Sequence, residues 1–287
     1  MSITIDSSAP AVLFPGQGSQ TPGMRDFVER FSPDLLERCI ELVGEDPFAR
    51  VEESTRFAQP AIFCASVAAW QQIEVRPVAA AGHSLGELAA LAAAGFLSVH
   101  DGLTLVVKRG RLMAEADDNG SMLALVGGEP ADAQAIADTA GVTVANDNAP
   151  GQVVLSGSRD ALARAQADAD ERGLRAMPLD VAAAFHSPAM QAAVAPFRAA
   201  LEEVTLGEAR FPVFSCATAA PFTDVRDELA ANLARPVRWR ETVLALRDAG
   251  AQSFVDVGPG KVLARLIKRI TPGITGQSPR FEEPANA

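Results

Sequence analysis

The 287-residue sequence has no run of about 18 apolar residues, so it offers no membrane-spanning helix. Its start, Met1-Ser2-Ile3-Thr4-Ile5-Asp6, has neither the basic nor the apolar region of a secretory signal, which predicts a cytoplasmic protein. Positive charge is scarce: 25 Lys and Arg stand against 36 Asp and Glu, a net charge of -11. That balance argues against nucleic acid or an anionic membrane surface as partner, since both require a basic footprint, and any anionic partner must use a local basic patch. Only three cysteines are present, Cys39, Cys64 and Cys216. Odd in number and widely spaced among apolar neighbours, they read as buried thiols in a reducing compartment, with neither a disulfide nor a metal site expected. Histidine is equally sparse, at His83, His100 and His186, so an imidazole base has few candidates. There is no internal repeat and no low-complexity segment.

Hydrophobic residues make up 48% of the chain, enough for a sizeable core. The chain is organised around Ala79-Ala80-Ala81-Gly82-His83-Ser84-Leu85-Gly86-Glu87, which reads as a buried strand, a Gly-x-Ser-x-Gly turn and a helix. This is the pattern of a nucleophile elbow, in which a serine at a strained strand-to-helix turn is pushed out of the sheet. The Ala/Leu-rich run to Ala94 with Gly95 after it predicts a helix whose N-terminal N–H groups favour a developing oxyanion. Alone, five residues fit a plain strand-to-helix turn as well.

Around the elbow, strand and helix patterns alternate. Ala11–Phe14 reads as a strand, Pro15–Gln20 as a loop, Asp26–Val43 as one helix, and Gln59–Ile73 as a buried helix with Pro60 near its start. This alternation predicts a parallel α/β sheet. A further helix follows His100-Asp101-Gly102 and ends at Asp117-Asp118-Asn119-Gly120. The pattern then changes to strand 121–126, helix 130–140, strand 142–146, strand 152–156, helix 160–172 and strand 174–179. That β-α-β-β-α-β order is the ferredoxin-like motif. The expected organisation is a large subdomain over 1–120, an inserted ferredoxin-like subdomain over 121–181, and the rest of the large subdomain over 182–287. In that last part a helix ends near Val204, short strands lie at 212–215 and 253–257, and helices at 228–233, 240–249 and 261–270. Residues 271–287 read as a mobile tail.

A serine is a weak nucleophile until a base takes its proton. His83 adjoins Ser84 in a tight turn, where neighbours point apart, and reads as packed or locally bonded; His100 reads as solvated. His186, on a loop after the insertion, is the better candidate, though a lone histidine near a helix start is often structural. Arg109, with Lys108 and Arg111 beside it, reads on its own as the solvated face of a helix.

Taken together, six segments in order resemble malonyl-CoA:acyl-carrier-protein transacylases over about residues 10–272. They are Gly16–Gln20 (Gly-Gln-Gly-Ser-Gln), Gly82–Glu87 (Gly-His-Ser-Leu-Gly-Glu), Lys108–Met113 (Lys-Arg-Gly-Arg-Leu-Met), Asn148–Gly157, Phe185–Pro188 (Phe-His-Ser-Pro) and Val257–Leu263. The resemblance implies an α/β-hydrolase-like core with a ferredoxin-like insertion and a ping-pong reaction through an acyl-enzyme. It implies malonyl-CoA and a phosphopantetheinylated acyl carrier protein as substrates, with no bound cofactor. By matching position, Ser84 is the implied nucleophile, His186 the base, and Arg109 the holder of the extender's free carboxylate. Gln17 and Leu85 match the backbone oxyanion donors, and Asn232 the residue whose carbonyl orients the histidine. Chemistry favours Arg109 in that role, because a guanidinium pairs bidentately with a carboxylate.

Two departures refine the resemblance. Ala183-Ala184-Phe185-His186 is similar to malonyl-selective polyketide acyltransferases, and a bulky Phe185 would oppose an α-methyl branch. Ser215-Cys216 stands where the fatty-acid enzymes carry an Asn pair. Both point to a free-standing polyketide-type enzyme acting in trans. A fatty-acid transacylase, a malonyltransferase subunit of malonate decarboxylase and a hydrolase of acyl groups from carrier proteins are the alternatives. For the acidic carrier protein, the expected docking cluster is Lys261, Arg265, Lys268 and Arg269, which share one face of the last helix and read equally well as an ordinary solvated face.

Overall fold

The computed structural model describes residues 3–4, 8–117 and 119–279. Most of the expected signal-free start, Asp118 in the helix-ending turn and the expected tail beyond residue 279 lie outside the described residues. The first part of the chain runs β1 (Ile3–Thr4), β2 (Pro10–Phe14), α1 (Met24–Phe31), α2 (Pro33–Val43), α3 (Thr55–Gln71), β3 (Ile73–Glu74), β4 (Ala79–Gly82), α4 (Gly86–Ala94) and α5 (Val99–Ala116). The middle part is β5 (Gly120–Val126), α6 (Pro130–Ala140), β6 (Thr143–Ala149), β7 (Gln152–Ser158), α7 (Arg159–Glu171) and β8 (Arg175–Leu179). The last part is α8 (Gln191–Glu202), β9 (Val213–Ser215), β10 (Ala220–Pro221), α9 (Val225–Ala231), α10 (Trp239–Asp248), β11 (Ser253–Asp256), α11 (Val262–Ile270) and β12 (Gly276–Gln277). None of the described helices is long and apolar enough to cross a membrane.

Two sheets carry the α/β fold. The larger has six strands in the order β10-β9-β4-β2-β11-β12, parallel except for β10 at its edge. Its central strands are fully buried on both faces, as a parallel sheet covered by helices requires. The smaller is antiparallel, in the order β6-β7-β5-β8, with α6 and α7 packed against it. This is the ferredoxin-like arrangement. Along β5 the side chains alternate: Leu123 and Leu125 join a core under α6 and α7, while Met122 and Ala124 join the core of the main body.

Three expectations are corrected. The helix expected over 26–43 is two helices broken at Ser32, because Pro33 fits the first position of a helix and not its interior. The buried helix begins at Thr55, with the Ser54 hydroxyl capping the Arg56 amide at 3.2 Å, so Pro60 lies inside it. The first residues of the expected tail are built into the fold: Thr271 is buried, and β12 pairs with β11 as an edge strand.

Strand β4 leads directly to Ser84, β2 to the Gly16–Gln17 loop and β11 to the Gly258–Gly260 turn. Their carboxyl ends meet along one edge, where ligands bind in open parallel sheets. The elbow is crowded enough to require its glycines. A Cβ on Gly82 would lie 1.9 Å from the Gly86 carbonyl carbon, and one on Gly86 would lie 2.2 Å from the Phe14 oxygen. The small subdomain is tied to this edge. Arg240 forks onto the Asp147 carboxylate with its shortest contact at 2.7 Å, and the Asp147 amide donates to the Val237 carbonyl while the Val237 amide donates to the Ala145 carbonyl.

Candidate active site

Ser84 occupies the left-handed region, at φ 54°, immediately before α4. His186, on the loop before α8, is the other polar residue with positive φ among the described residues, at 56°. Such backbone strain persists only where the surroundings enforce it, and it concentrates at functional sites. The fold brings the two together over 102 residues of sequence, with Ser84 Oγ 2.7 Å from His186 Nε2. On the far side of the ring, Nδ1 lies 3.1 Å from the Asn232 carbonyl and 3.0 Å from the Arg235 carbonyl. Carbonyls only accept, so Nδ1 carries the proton and Nε2 is left to take one from the Ser84 hydroxyl.

Arg109 comes from α5 and is 4% exposed, not a solvated residue of that helix. Its Nη1 donates to Gln59 Oε1 at 2.7 Å and its Nη2 donates to Ser84 Oγ at 3.0 Å. Gln59 is itself fixed by Thr55 Oγ1 at 2.8 Å. Burial draws Arg109 down to about 10, with nearby Glu87 opposing, so it remains a cation at neutral pH. Burial, followed by the Arg109 charge and then His83, draws His186 down to about 3, which leaves it a neutral base.

Among the described residues the main-chain amides of Gln17 and Leu85 donate to no protein acceptor. Gln17 and Phe185 also line a cavity of about 170 Å³, together with Thr55, Ala114, Leu179, Val181 and Arg159. Phe185 is 8% exposed. The cavity stops short of Ser84 and His186 and lies between the main body and the small subdomain. Lys261, Arg265, Lys268 and Arg269 are exposed along α11 and its leading residue. Arg269 is engaged there, donating to Gln152 Oε1 and the Pro150 carbonyl at 2.6 Å each.

His83 is packed, as one of its two readings had it, but its hydrogen bond is not local. It reaches across to the small subdomain, with Nε2 2.8 Å from Asn148 Oδ1, and packs against Trp239. Burial, only partly offset by the Asn148 bond, lowers its pKa. Sequence reasoning missed the Arg235 carbonyl, which no side-chain pattern marks. It also missed Gln59 and Glu87. Glu87 is the one polar side chain in an otherwise apolar helix, and Gln59 opens the apolar stretch of another; that isolation was the available signal.

Residues 40–273 match the family described as acyl transferase domain. The chain is 37% identical to the polyketide biosynthesis protein ThaF of Burkholderia thailandensis over 94% of its own length, but spans only 25% of that protein. It is 37% identical to the polyketide biosynthesis malonyl CoA-acyl carrier protein transacylase BaeC of Bacillus velezensis, covering 90% of this chain and 95% of that one. It is 36% identical to the malonyl CoA-acyl carrier protein transacylase of Salmonella typhimurium, covering 96% of both. The fold superposes on the malonyl-CoA:acyl carrier protein transacylase of Xanthomonas oryzae with a TM-score of 0.88 and 36% identity, covering 96% of this chain and 95% of that one. It superposes on the malonyl-transacylase PlMCAT, solved with the type II PKS acyl-carrier protein AntF, with a TM-score of 0.86 and 32% identity, over 95% and 96% of the two chains.

Proposed function

Because the chain belongs to the malonyl-CoA:acyl-carrier-protein transacylase family, we propose that it moves a malonyl group from coenzyme A to a carrier protein through an ester on Ser84. The observation that carries this reading is one oxygen with two partners: Ser84 Oγ is 2.7 Å from a neutral imidazole and 3.0 Å from a buried guanidinium. Ser84 attacks the thioester carbonyl while its proton passes to His186 Nε2. The amides of Gln17 and Leu85 receive the developing oxyanion. Collapse expels the coenzyme A thiolate, which takes the proton from His186. The carrier's pantetheine thiol then repeats these steps in reverse, restoring the Ser84 hydroxyl.

The Asn232 and Arg235 carbonyls stabilise the imidazolium formed in each half-reaction, in the place a triad carboxylate would occupy. Arg109 holds the free carboxylate of the malonyl group, its planar fork matching the two oxygens, with Gln59 fixing one edge of the guanidinium. The reaction written this way needs no resident cofactor or metal. Phe185, immediately before His186 in the chain, opposes an α-methyl branch. Identities of 37% and 36% to polyketide and other transacylases do not separate the pathways. The polyketide acceptor is therefore proposed from Phe185 and from Ser215-Cys216, and a cytoplasmic setting from the three buried free thiols.

Intact mass after mixing the protein with malonyl-, methylmalonyl- or acetyl-CoA tests the reading. The expected result is one malonyl mass gain on the native protein, little gain from methylmalonyl-CoA, and none at all in Ser84→Ala. An adduct that survives in Ser84→Ala removes Ser84 from the mechanism, and equal gain from methylmalonyl-CoA removes Phe185 from selectivity.

A further inference from the structure

Behind the nucleophile and base lies a buried carboxylate that the reaction as written does not use. Glu87 is on the first turn of α4, three residues after Ser84, and is 2% exposed. Among the described residues it pairs with no cation within ion-pair distance; Arg109 directs its own donors to Gln59 and Ser84 instead. The Glu87 oxygens face three other contacts. Oε1 accepts from the Cys216 amide at 2.8 Å, and Oε1 and Oε2 each lie 3.1 Å from Asn232 Nδ2. Asn232 Nδ2 also lies 3.0 Å from Ser215 Oγ. Burial pushes the Glu87 carboxyl up, and its N–H partners oppose that shift by favouring the accepting form.

Asn232 is 2% exposed and performs two tasks from one residue. Its side chain is clamped by Glu87 and Ser215, while its main-chain carbonyl receives His186 Nδ1–H. A buried carboxylate costs desolvation that an apolar side chain of similar size would avoid. Here it fixes the residue, at the end of α9, whose carbonyl aims the catalytic imidazole. We propose that Glu87 is a positioning residue for the transfer reaction: its carboxylate, acting through the Asn232 amide, sets the orientation of His186. The carboxylate of a conventional triad is thus moved one residue away from the imidazole. Asn232 relays its constraint.

This inference rests on the reading of His186 as the base. The experiment compares Glu87→Gln, Asn232→Ala, their combination and His186→Ala in rapid-quench acylation by malonyl-CoA and by acetyl-CoA. Glu87→Gln removes the charge and replaces one of the two acceptor oxygens with an NH2, so Asn232 Nδ2 loses one acceptor or meets another donor. Asn232→Ala deletes only the clamped side chain and keeps the carbonyl. Each single variant is expected to lower the acylation rate about 10- to 100-fold, the scale on which outer partners of an oriented imidazole act in metal sites. The loss should be the same for both acyl donors, leave KM nearly unchanged, and be no larger in the double variant. The downfield proton resonance of His186 Nδ1–H should shift or broaden in each single variant.

A loss confined to malonyl-CoA would mean that Glu87 serves the Arg109 charge and would overturn the proposal. Additive losses, or an unmoved Nδ1–H resonance, would overturn it as well. If Glu87→Gln does not fold, Asn232→Ala alone decides, by the same rate and resonance criteria. Full activity in His186→Ala would instead overturn the underlying reading. An inactive His186→Ala beside fully active Glu87→Gln and Asn232→Ala would remove only the positioning role.

Discussion

The two larger sheets of this molecule divide its work unequally. The four-stranded sheet lies within one stretch of sequence, 120–179, alternates its side chains between two cores, and contributes Asn148 to the elbow's surroundings and Leu179 to the cavity, with Arg159 added by α7. The six-stranded sheet is buried on both faces along its central strands, of which β4 leads to Ser84, with Arg109, His186, Glu87 and Asn232 gathered on the helices and loops around it. Chemistry needs atoms fixed to a fraction of an ångström, and a doubly covered sheet fixes them from both sides. The small sheet supplies walls and ties. The main body should therefore lose function from changes that the small subdomain would register only as stability.

The sharpest contrast sets Gly86→Ala against Leu123→Ala. A methyl on Gly86 would strike the Phe14 carbonyl, and neither backbone segment can yield. We expect a cost at or above the ~3 kcal/mol top of ordinary overpacking and no acylation of Ser84. Leu123→Ala, in the core of the small subdomain, should cost about 2–5 kcal/mol yet leave the acylation rate per folded molecule intact. Denaturant titration and active-site titration together check both. Full activity in Gly86→Ala would break the comparison.

Next in size is Arg109→Ala, expected to cost malonyl transfer about 2–4 kcal/mol, the scale for truncating one member of a buried charge pair. Acetyl transfer should hold or rise. Equal losses for the two donors would make Arg109 a structural cation.

A smaller effect tests whether the carrier protein meets α11. Arg265→Glu with Lys268→Glu should slow transfer to an acidic carrier about tenfold and flatten its salt dependence, because opposed patches steer encounter. Self-acylation should be spared. Arg269, occupied with Gln152 and Pro150, is left out of the reversal, since its loss would also loosen the small subdomain. Unchanged carrier kinetics would move the docking surface elsewhere.

The smallest effects lie in pH. His186, drawn down to about 3, stays a base where an ordinary imidazole would be half protonated near pH 6.5, so acylation should stay flat from pH 8 to 5. Its folded pKa lies below the unfolded one, so stability from this group falls as pH drops through 6.5. Asp256, raised to about 7 chiefly by burial, does the opposite. Its folded state binds the extra proton, so its contribution grows as pH falls from 7 toward 4. Asp256→Asn should therefore lose thermal stability more steeply than the native protein between pH 7 and 5. Parallel melting curves would remove Asp256 from that balance.

Much of this was legible in the residues. The all-alanine strand before Gly82 and the Gly95 cap marked the elbow, and Pro130 to Ala140 marked a helix to the residue. The strand read over 121–126 is β5, and its unbroken apolar run is explained by two faces that each satisfy a separate core. What stayed hidden was long-range. The pairing of Arg109 with Gln59, of Glu87 with Asn232 and of His83 with Asn148 spans 50, 145 and 65 residues, and local patterns cannot encode such distances. Ser32-Pro33 was a local signal, and the helical periodicity that runs through it masked the break.

The strand order of the larger sheet also sets when the site can exist. Strand β2 is clasped between β4 and β11, so its second neighbour arrives only with residues 253–256. During synthesis the small subdomain has all its strands by residue 179 and can close from near neighbours, whereas the sheet behind Ser84 waits for distant segments. A nascent chain stalled at residue 250 holds Ser84, Arg109, His186 and Asn232 and should nevertheless fail to take up a malonyl label. On this topology the site is expected to become reactive only once β11 has paired with β2, and labelling of the stalled chain would overturn that order.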